Sequence, residues 1–307
     1  MKNYYYCIDV GGTDIKAGIV DEEYNIICTS KTPTNIYFKS NSLAETLIEI
    51  INGLESESGL DFQKSKGLGI GLPGLVDNNA GIVKFINCLK LSNYPIKKEF
   101  KSLTKVPINI ANDAECATMA EYKIGAGKGY KNLAMLTLGT GIGSGLVIDG
   151  KPIRSHLPFA CELGHIKITA SDDESFEKLA STKALVNQTR QAMEFNLNSK
   201  MWSKYNLETV CGKTVFEFKD SDETASEVFK TYISHLGTGI TNIYNIFTPE
   251  IIIIGGGVSK QGKALIAPLT DYVNERIFTK NINNKVKIVP AKYLNDAGIL
   301  GARCLFD

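Results

Sequence analysis

Apolar and polar residues alternate in two rhythms along this chain. Residues 4–10 are mostly apolar and run into Gly11-Gly12, and 15–20 and 26–32 follow as two similar runs. Short apolar runs bounded by turn residues predict strands, here a hairpin meander. Residues 43–54 place apolar side chains at helical spacing. Residues 67–72 and 106–111 read as strands, and 114–124 as a helix. Further strands are predicted at 133–138 and 145–149, and one helix from 177 to about 194. Val228, Tyr232, Leu236, Ile240, Ile243 and Phe247 recur three or four apart, which marks one face of a long buried helix over 223–247, stopped by Pro249. Residues 251–254 are four isoleucines opening onto Gly255-Gly256-Gly257. A helix, a strand at 286–289 and a last helix near 296–304 complete the reading. Strands alternating with helices predict α/β layers. Residues 194–220 are polar and weakly periodic and receive no element.

The pattern also repeats. "CIDVGGTDIKAGIVD" (7–21) and "MLTLGTGIGSGLVID" (135–149) share one plan: apolar strand, Gly/Thr turn, second apolar strand ending in aspartate. Gly11 and Gly139 lie 128 residues apart, as do Asp21 and Asp149. Two such units predict two similar domains, each opening with a glycine-rich hairpin. Tight hairpins alone call for one glycine per turn. In "TLGTGIGSG" (137–145) glycine takes every second place from Gly139, with Thr137 before the series and Thr140 and Ser144 within it. Backbone N–H groups without Cβ atoms form an anion nest, and hydroxyls add donors, so the stretch is read as a phosphate cradle.

Other glycine motifs fit less well. "GIGLPG" (69–74) has dinucleotide-fingerprint spacing, but Pro73 and the turn at 77–79 stand where a helix should begin. "GVSKQGKA" (257–264) comes one residue short of a P-loop, with Ala264 in place of Ser or Thr.

Composition narrows the partners. With 34 basic and 33 acidic residues and a net charge of +1, the chain offers no footprint for nucleic acid and no polybasic membrane anchor. No apolar run approaches membrane-spanning length, and the opening "MKNYYYCIDV" has no signal-peptide core. The seven cysteines are scattered without a C-x-x-C pair, as expected of reduced thiols in a cytoplasmic protein.

The two hairpins, "PEIIIIGGGVS" (249–259), "ANDA" (111–114), "CELGH" (161–165) and "NDAGILGA" (295–302) together resemble the ROK family of repressors, open reading frames and sugar kinases, in the family's order and over nearly the whole chain. The resemblance implies two actin-like, ribonuclease H-like domains around a cleft. The expected domains are 1–112, with 295–307 returning to it, and 113–294. It also implies ATP with Mg2+ as co-substrate, a small sugar as acceptor and a homodimer. Asp9, Gly11, Gly12, Thr13 and Lys16 then belong to the first phosphate motif and Thr137, Gly139, Thr140 and Gly141 to the second. Gly255, Gly256 and Gly257 belong to the adenosine motif.

Asp113 follows a predicted strand and opens a helix, so it is a candidate N-cap. At the carboxyl end of an α/β strand it is also well placed to accept a proton. The resemblance makes it the general base for a sugar hydroxyl attacking the γ-phosphate. Ala111 departs from the family, which commonly has glutamate there. By resemblance Asn112 and Asn87 (in "FINCLKL") bind sugar hydroxyls; a loop-stabilising role is open for Asn87. Glu162 and His165 of "CELGH" likewise face the sugar. "FEKLAST" (176–182) resembles the stretch after the family's zinc loop, which makes Glu177 a second sugar carboxylate, with Glu174 as the fallback and a plain helix-surface role as the alternative.

An ATP-dependent hexose kinase acting on the 6-hydroxyl, with glucose or N-acetylmannosamine as acceptor, is the leading expectation. A β-glucoside kinase or fructokinase of the same family, and a non-catalytic sugar-sensing or regulatory member, are the alternatives. Repressors of the family carry a helix-turn-helix before the first phosphate strand, which here begins by Tyr4. Zinc-bearing members hold zinc with a cysteine cluster beside the histidine, but "IKITASDDESFEKLAST" (166–182) contains no cysteine. The purified protein is therefore expected to carry no structural zinc. Elemental analysis finding one zinc per chain would contradict this.

Overall fold

A computed structural model describes residues 3–39, 42–153, 155, 157, 161–171, 174–282 and 285–307. The chain divides into two compact units. The first takes in the sequence up to Gly125 together with Asn295–Asp307, and the second is formed mainly by Ala126–Pro152 and Cys161–Leu294.

In the first unit β1 (Tyr4–Val10), β2 (Asp14–Asp21) and β3 (Ile26–Pro33) form the predicted meander. Helix α1 (Leu43–Ser58) starts at Ser42, whose hydroxyl accepts from the Glu45 N–H, and ends at Gly59 in the left-handed region. β4 (Leu68–Leu72) runs parallel to β1. The short strands β5 (Leu75–Asp77), β6 (Ile82–Ile86) and β7 (Leu91–Tyr94) make a separate antiparallel sheet. They went unpredicted because each is too short to show a period. Helix α2 (Ile96–Leu103) leads to β8 (Ile108–Asn112), parallel to β4, and then to α3 (Asp113–Lys123). The sheet order is β3-β2-β1-β4-β8. Its apolar face buries Tyr6, Ile8, Ile15, Leu68 and Ile70 against Leu47 and Ile51 of α1.

The second unit repeats this plan. β9 (Leu133–Leu138) and β10 (Ile142–Ile148) form the hairpin, and β11 (Lys151–Pro152) extends it. The expected helix from 177 to about 194 is instead two, α4 (Phe176–Ala180) and α5 (Thr182–Phe195). Ser181 between them is extended and caps α5 through the Ala184 N–H, a competition with the helical backbone that serine favours. Residues 194–220 are ordered around α6 (Thr214–Phe218), where Met193, Met201, Tyr205, Val210 and Ala225 bury a small core of their own. The long α7 (Glu223–Phe247) matches its periodicity. β12 (Ile251–Gly256), α8 (Lys263–Asn274) and β13 (Ile288–Pro290) follow. The sheet order is β11-β10-β9-β12-β13, with β12 parallel to both β9 and β13. Both sheets thus place an antiparallel hairpin on one side of the central strand and two parallel strands on the other, which makes this a two-domain actin-like α/β fold.

The chain re-enters the first unit in α9 (Ala297–Cys304), a fully buried helix. A Cβ at Gly301 would lie 1.9 Å from the Cys116 carbonyl oxygen of α3, and one at Gly69 would lie 2.1 Å from that of Ala302. This contact keeps α3 in the first unit, which therefore runs to Gly125, past the expected boundary at 112. Among the described residues no helix is long and apolar enough to cross a membrane.

Gly301→Ala is expected to destabilise the protein by about 1–3 kcal/mol or more, because its obstacle is backbone. Gly53→Ala, exposed within α1 with nothing within 4 Å of the added Cβ, is expected to stabilise by about 0.5–1 kcal/mol. Urea unfolding of the two variants checks both signs.

Candidate active site

The tip of the first hairpin is Gly11-Gly12-Thr13. The Gly11 N–H donates to the Asp14 carbonyl at 2.9 Å, and the Thr34 hydroxyl donates to the Gly11 carbonyl at 2.7 Å. A Cβ at Gly11 would fall 2.7 Å from that Asp14 oxygen, so the turn closes only on glycine. Behind the tip, Asp9 lies across the ladder from Lys16 and against Gly298 of α9, where a Cβ would meet the carboxylate at 2.3 Å. Burial pushes the Asp9 carboxyl up, and the Lys16 charge opposes this only in part. Lys16 reaches the start of the returning C-terminal segment. Its Nζ donates to the Asn295 carbonyl at 3.1 Å, and it lines a cavity of about 410 Å³ with Asp14, Lys31, Asp296 and Ile299 among others.

The capping role open for Asp113 falls mainly to its neighbour. Asn112 ends β8, and its Oδ1 accepts from the Ala114 N–H at 2.8 Å and the Glu115 N–H at 3.2 Å. Its Nδ2 donates to the Gly74 carbonyl at 3.0 Å, leaving one amide N–H for any other acceptor. Asp113 is the first helical residue and shares the Ala114 N–H, at 2.9 Å. The turn between β6 and β7 holds Asn87 and Cys88. A Cβ at Gly12 would lie 3.9 Å from Cys88 Sγ, and burial, aided by the Asp113 charge, raises that thiol. The first unit therefore gathers the hairpin tip, the 87–88 turn and Asp113. Cys88 was not anticipated, since nothing but its place beside Asn87 marks it.

In the second unit Leu138 pairs with Ile142, leaving Gly139-Thr140-Gly141 as the turn. β10 starts at Ile142, not 145, so Gly143 and Gly145 are ladder residues opposite Thr137 and Met135. Only part of the alternating glycine series thus belongs to the hairpin tip. The start of α5 braces the tip: the Lys183 N–H donates to the Gly139 carbonyl at 3.2 Å, and the Thr182 hydroxyl to that of Leu138 at 3.0 Å. Thr182 carried no sequence signal, because its contact spans 44 residues. Nothing lies within 4 Å of a Cβ at Gly139 or Gly257, so both face open space. Gly255 and Gly256 pair in register with Thr137 and Leu138. Gly256 has φ of 86°, and a Cβ there would fall 2.0 Å from the Leu138 oxygen. The adenosine-motif glycines and the second hairpin are therefore side by side.

Glu162, His165 and Glu177 also converge in this unit. His165 ends the short 3-10 turn Leu163–His165, and its Nδ1 lies 3.8 Å from Glu177 Oε1. Glu177 Oε2 accepts from the Ile142 N–H at 3.3 Å. Burial raises the Glu162 carboxyl; His165 opposes the shift and Glu177 adds to it. Glu174 instead accepts from the Thr169 hydroxyl at 3.1 Å. Among the described residues no group of three or more His, Cys, Asp or Glu is placed to hold a metal ion. Residues 172 and 173 of the cysteine-free 166–182 stretch lie outside those described.

Two actin-like units, each with a glycine hairpin on its central strand, define the class. The model of the ROK family matches residues 5–307, and the chain belongs to that family. It is 30% identical to a glucokinase of Halalkalibacterium halodurans, over 97% of this chain and 93% of that one. A ROK family glucokinase from Streptomyces griseus, solved in complex with glucose and AMPPNP, superposes with a TM-score of 0.83 at 27% identity, covering 99% of each chain. A xylose repressor of Caldicellulosiruptor bescii is 28% identical over 76% of this chain and 61% of its own length.

The raised Asp9 carboxyl has a consequence for stability. The folded chain binds that proton more tightly than the unfolded chain, so ionisation penalises folding once pH passes the ordinary carboxylate value of about 4. Asp9→Asn is expected to melt higher than wild type at neutral pH, with the gain vanishing below about pH 4. Thermal melts at both ends of that range check the sign.

Proposed function

We propose that this chain is an ATP-dependent kinase that transfers the γ-phosphate of ATP to the 6-hydroxyl of a hexose, with glucose or N-acetylmannosamine as acceptor. The observation that carries the reading is the division of labour at the end of β8. Asn112 caps α3, and the Asp113 carboxylate stands at the head of that helix, near the first glycine hairpin through Cys88. In this reading Asp113 takes the hydroxyl proton as the sugar oxygen attacks the γ-phosphorus and ADP departs.

In this reading each unit carries its own nucleotide-motif residues: Asp9, Gly11, Gly12, Thr13 and Lys16 in the first, and Thr137, Gly139, Thr140, Gly141 and Gly255 to Gly257 in the second. The open space at Gly139 and Gly257 supports this. A Mg2+ carried on ATP phosphates needs only one or two protein carboxylates, and Asp9 is a partly buried carboxylate behind the first tip. The sugar-motif residues of this reading are Asn87 and the remaining N–H of Asn112 in the first unit, and Glu162 and His165, with Glu177 beside His165, in the second. The glucose and AMPPNP in the Streptomyces griseus complex support both ligand classes. The protein is read as a cytoplasmic homodimer.

An assay of ATP consumption over glucose, N-acetylmannosamine, N-acetylglucosamine, fructose and cellobiose tests the acceptor. Turnover of fructose or cellobiose alone moves the reading to a fructokinase or a β-glucoside kinase. Sugar binding with no turnover on any of them replaces the kinase with a sugar-sensing protein.

Asp113→Asn removes the proton acceptor and leaves the Asn112 cap in place. The variant is expected to fold, to keep its ATP affinity, and to lose roughly 10²–10⁴-fold in kcat. Saturating kinetics on the folded variant check this, and activity within a few-fold of wild type would sink the mechanism.

A further inference from the structure

The Glu177 carboxylate is anchored through one oxygen inside the second unit and turns the other towards His165. Oε2 accepts from the Ile142 N–H at 3.3 Å, at the foot of the second glycine hairpin, and Oε1 faces His165 Nδ1 at 3.8 Å. Gly141 makes room for it, since a Cβ there would fall 2.3 Å from Oε2. The two ends of this bridge are far apart in sequence: Ile142 and Glu177 are separated by 35 residues. Among the described residues of 161–182 the charged neighbours of His165 along the chain are Glu162, Lys167, Glu174, Glu177 and Lys178, while β10 carries none.

We propose that Glu177 is a positioning residue. Anchored on the second hairpin, its carboxylate holds the proton of neutral His165 on Nδ1 and leaves Nε2 as the bare acceptor for a substrate hydroxyl. A carboxylate beside one ring nitrogen favours the tautomer with the proton on that nitrogen, which fixes what the other nitrogen can do. The 3.8 Å separation is longer than a hydrogen bond, and the exposed ring is not packed against movement towards the carboxylate. Gly141 then has a second function besides leaving space for phosphate: it keeps the carboxylate in reach of His165. The inference rests on the sugar-kinase reading for its purpose, but not for its detection.

The test is ¹⁵N-resolved NMR of the imidazoles in the full chain, without sugar or ATP. The chain has only three histidines, so His165 is assignable through His165→Gln. In wild type, neutral His165 is expected as the Nδ1–H form. In Glu177→Gln and, separately, in Gly141→Ala it is expected to revert towards Nε2–H. The double variant should shift no further than either single one, because both remove the same contact. In kinetics, Glu177→Gln is expected to raise the sugar KM about tenfold, with kcat within about threefold. Nε2–H in wild type, or an unchanged tautomer in folded Glu177→Gln and Gly141→Ala, overturns the proposal. An inactive wild type with the Nδ1–H form would overturn the kinase reading and leave this contact standing.

Discussion

Backbone approaching backbone with no side chain between is the constraint on which the first unit rests. α9 lies so close to β4 and α3 that the Ala302 carbonyl reaches Gly69 and the Cys116 carbonyl reaches Gly301. That closeness brings Gly298 against the Asp9 carboxylate and so ties the start of α9 to the foot of the first glycine hairpin. The second unit meets a related demand at Gly256, which combines a left-handed φ with a near collision at the Leu138 oxygen. Interiors at this packing density do not yield by a methyl group, so these glycines hold the hairpins in place from behind.

Two neighbouring polar residues at the end of β8 show how the chain separates structure from chemistry. Either Asn112 or Asp113 has a side chain able to cap α3. The cap goes to Asn112, which also pins Gly74. Placing the neutral amide in the structural role leaves the carboxylate, the group able to take a proton, at the head of the helix. Asp9 carries the opposite balance. Its ionised form is held back by burial, a cost to folding that the neutral acid does not carry.

In the second unit one side chain joins two of the candidate stretches. Glu177 touches the hairpin that resembles a phosphate motif and faces the histidine that resembles a sugar ligand. Its position depends on the break at Ser181, which turns α4 into a separate short helix. A continuous helix through 177–194 would set Glu177 on another course.

Much of the fold was legible in contiguous residues. Strand and helix periodicities, the hairpin repeated at a spacing of 128 residues, and the glycines of 255–257 all follow from local chemistry: side chains alternate on strands, and only glycine tolerates certain turns. Short elements escaped, among them β5 to β7 and the 194–220 region, because three to five residues show no period and are stabilised by partners elsewhere in the chain. The candidate site divided in the same way. Which residue types were present could be read directly. Tertiary structure decided that Asn112 carries the cap, that Lys16 turns towards Asn295, that Cys88 sits beside Gly12 and that Glu177 bridges to His165. Each of these is a contact or a choice between neighbours whose outcome depends on where other elements pack, and no local pattern encodes that.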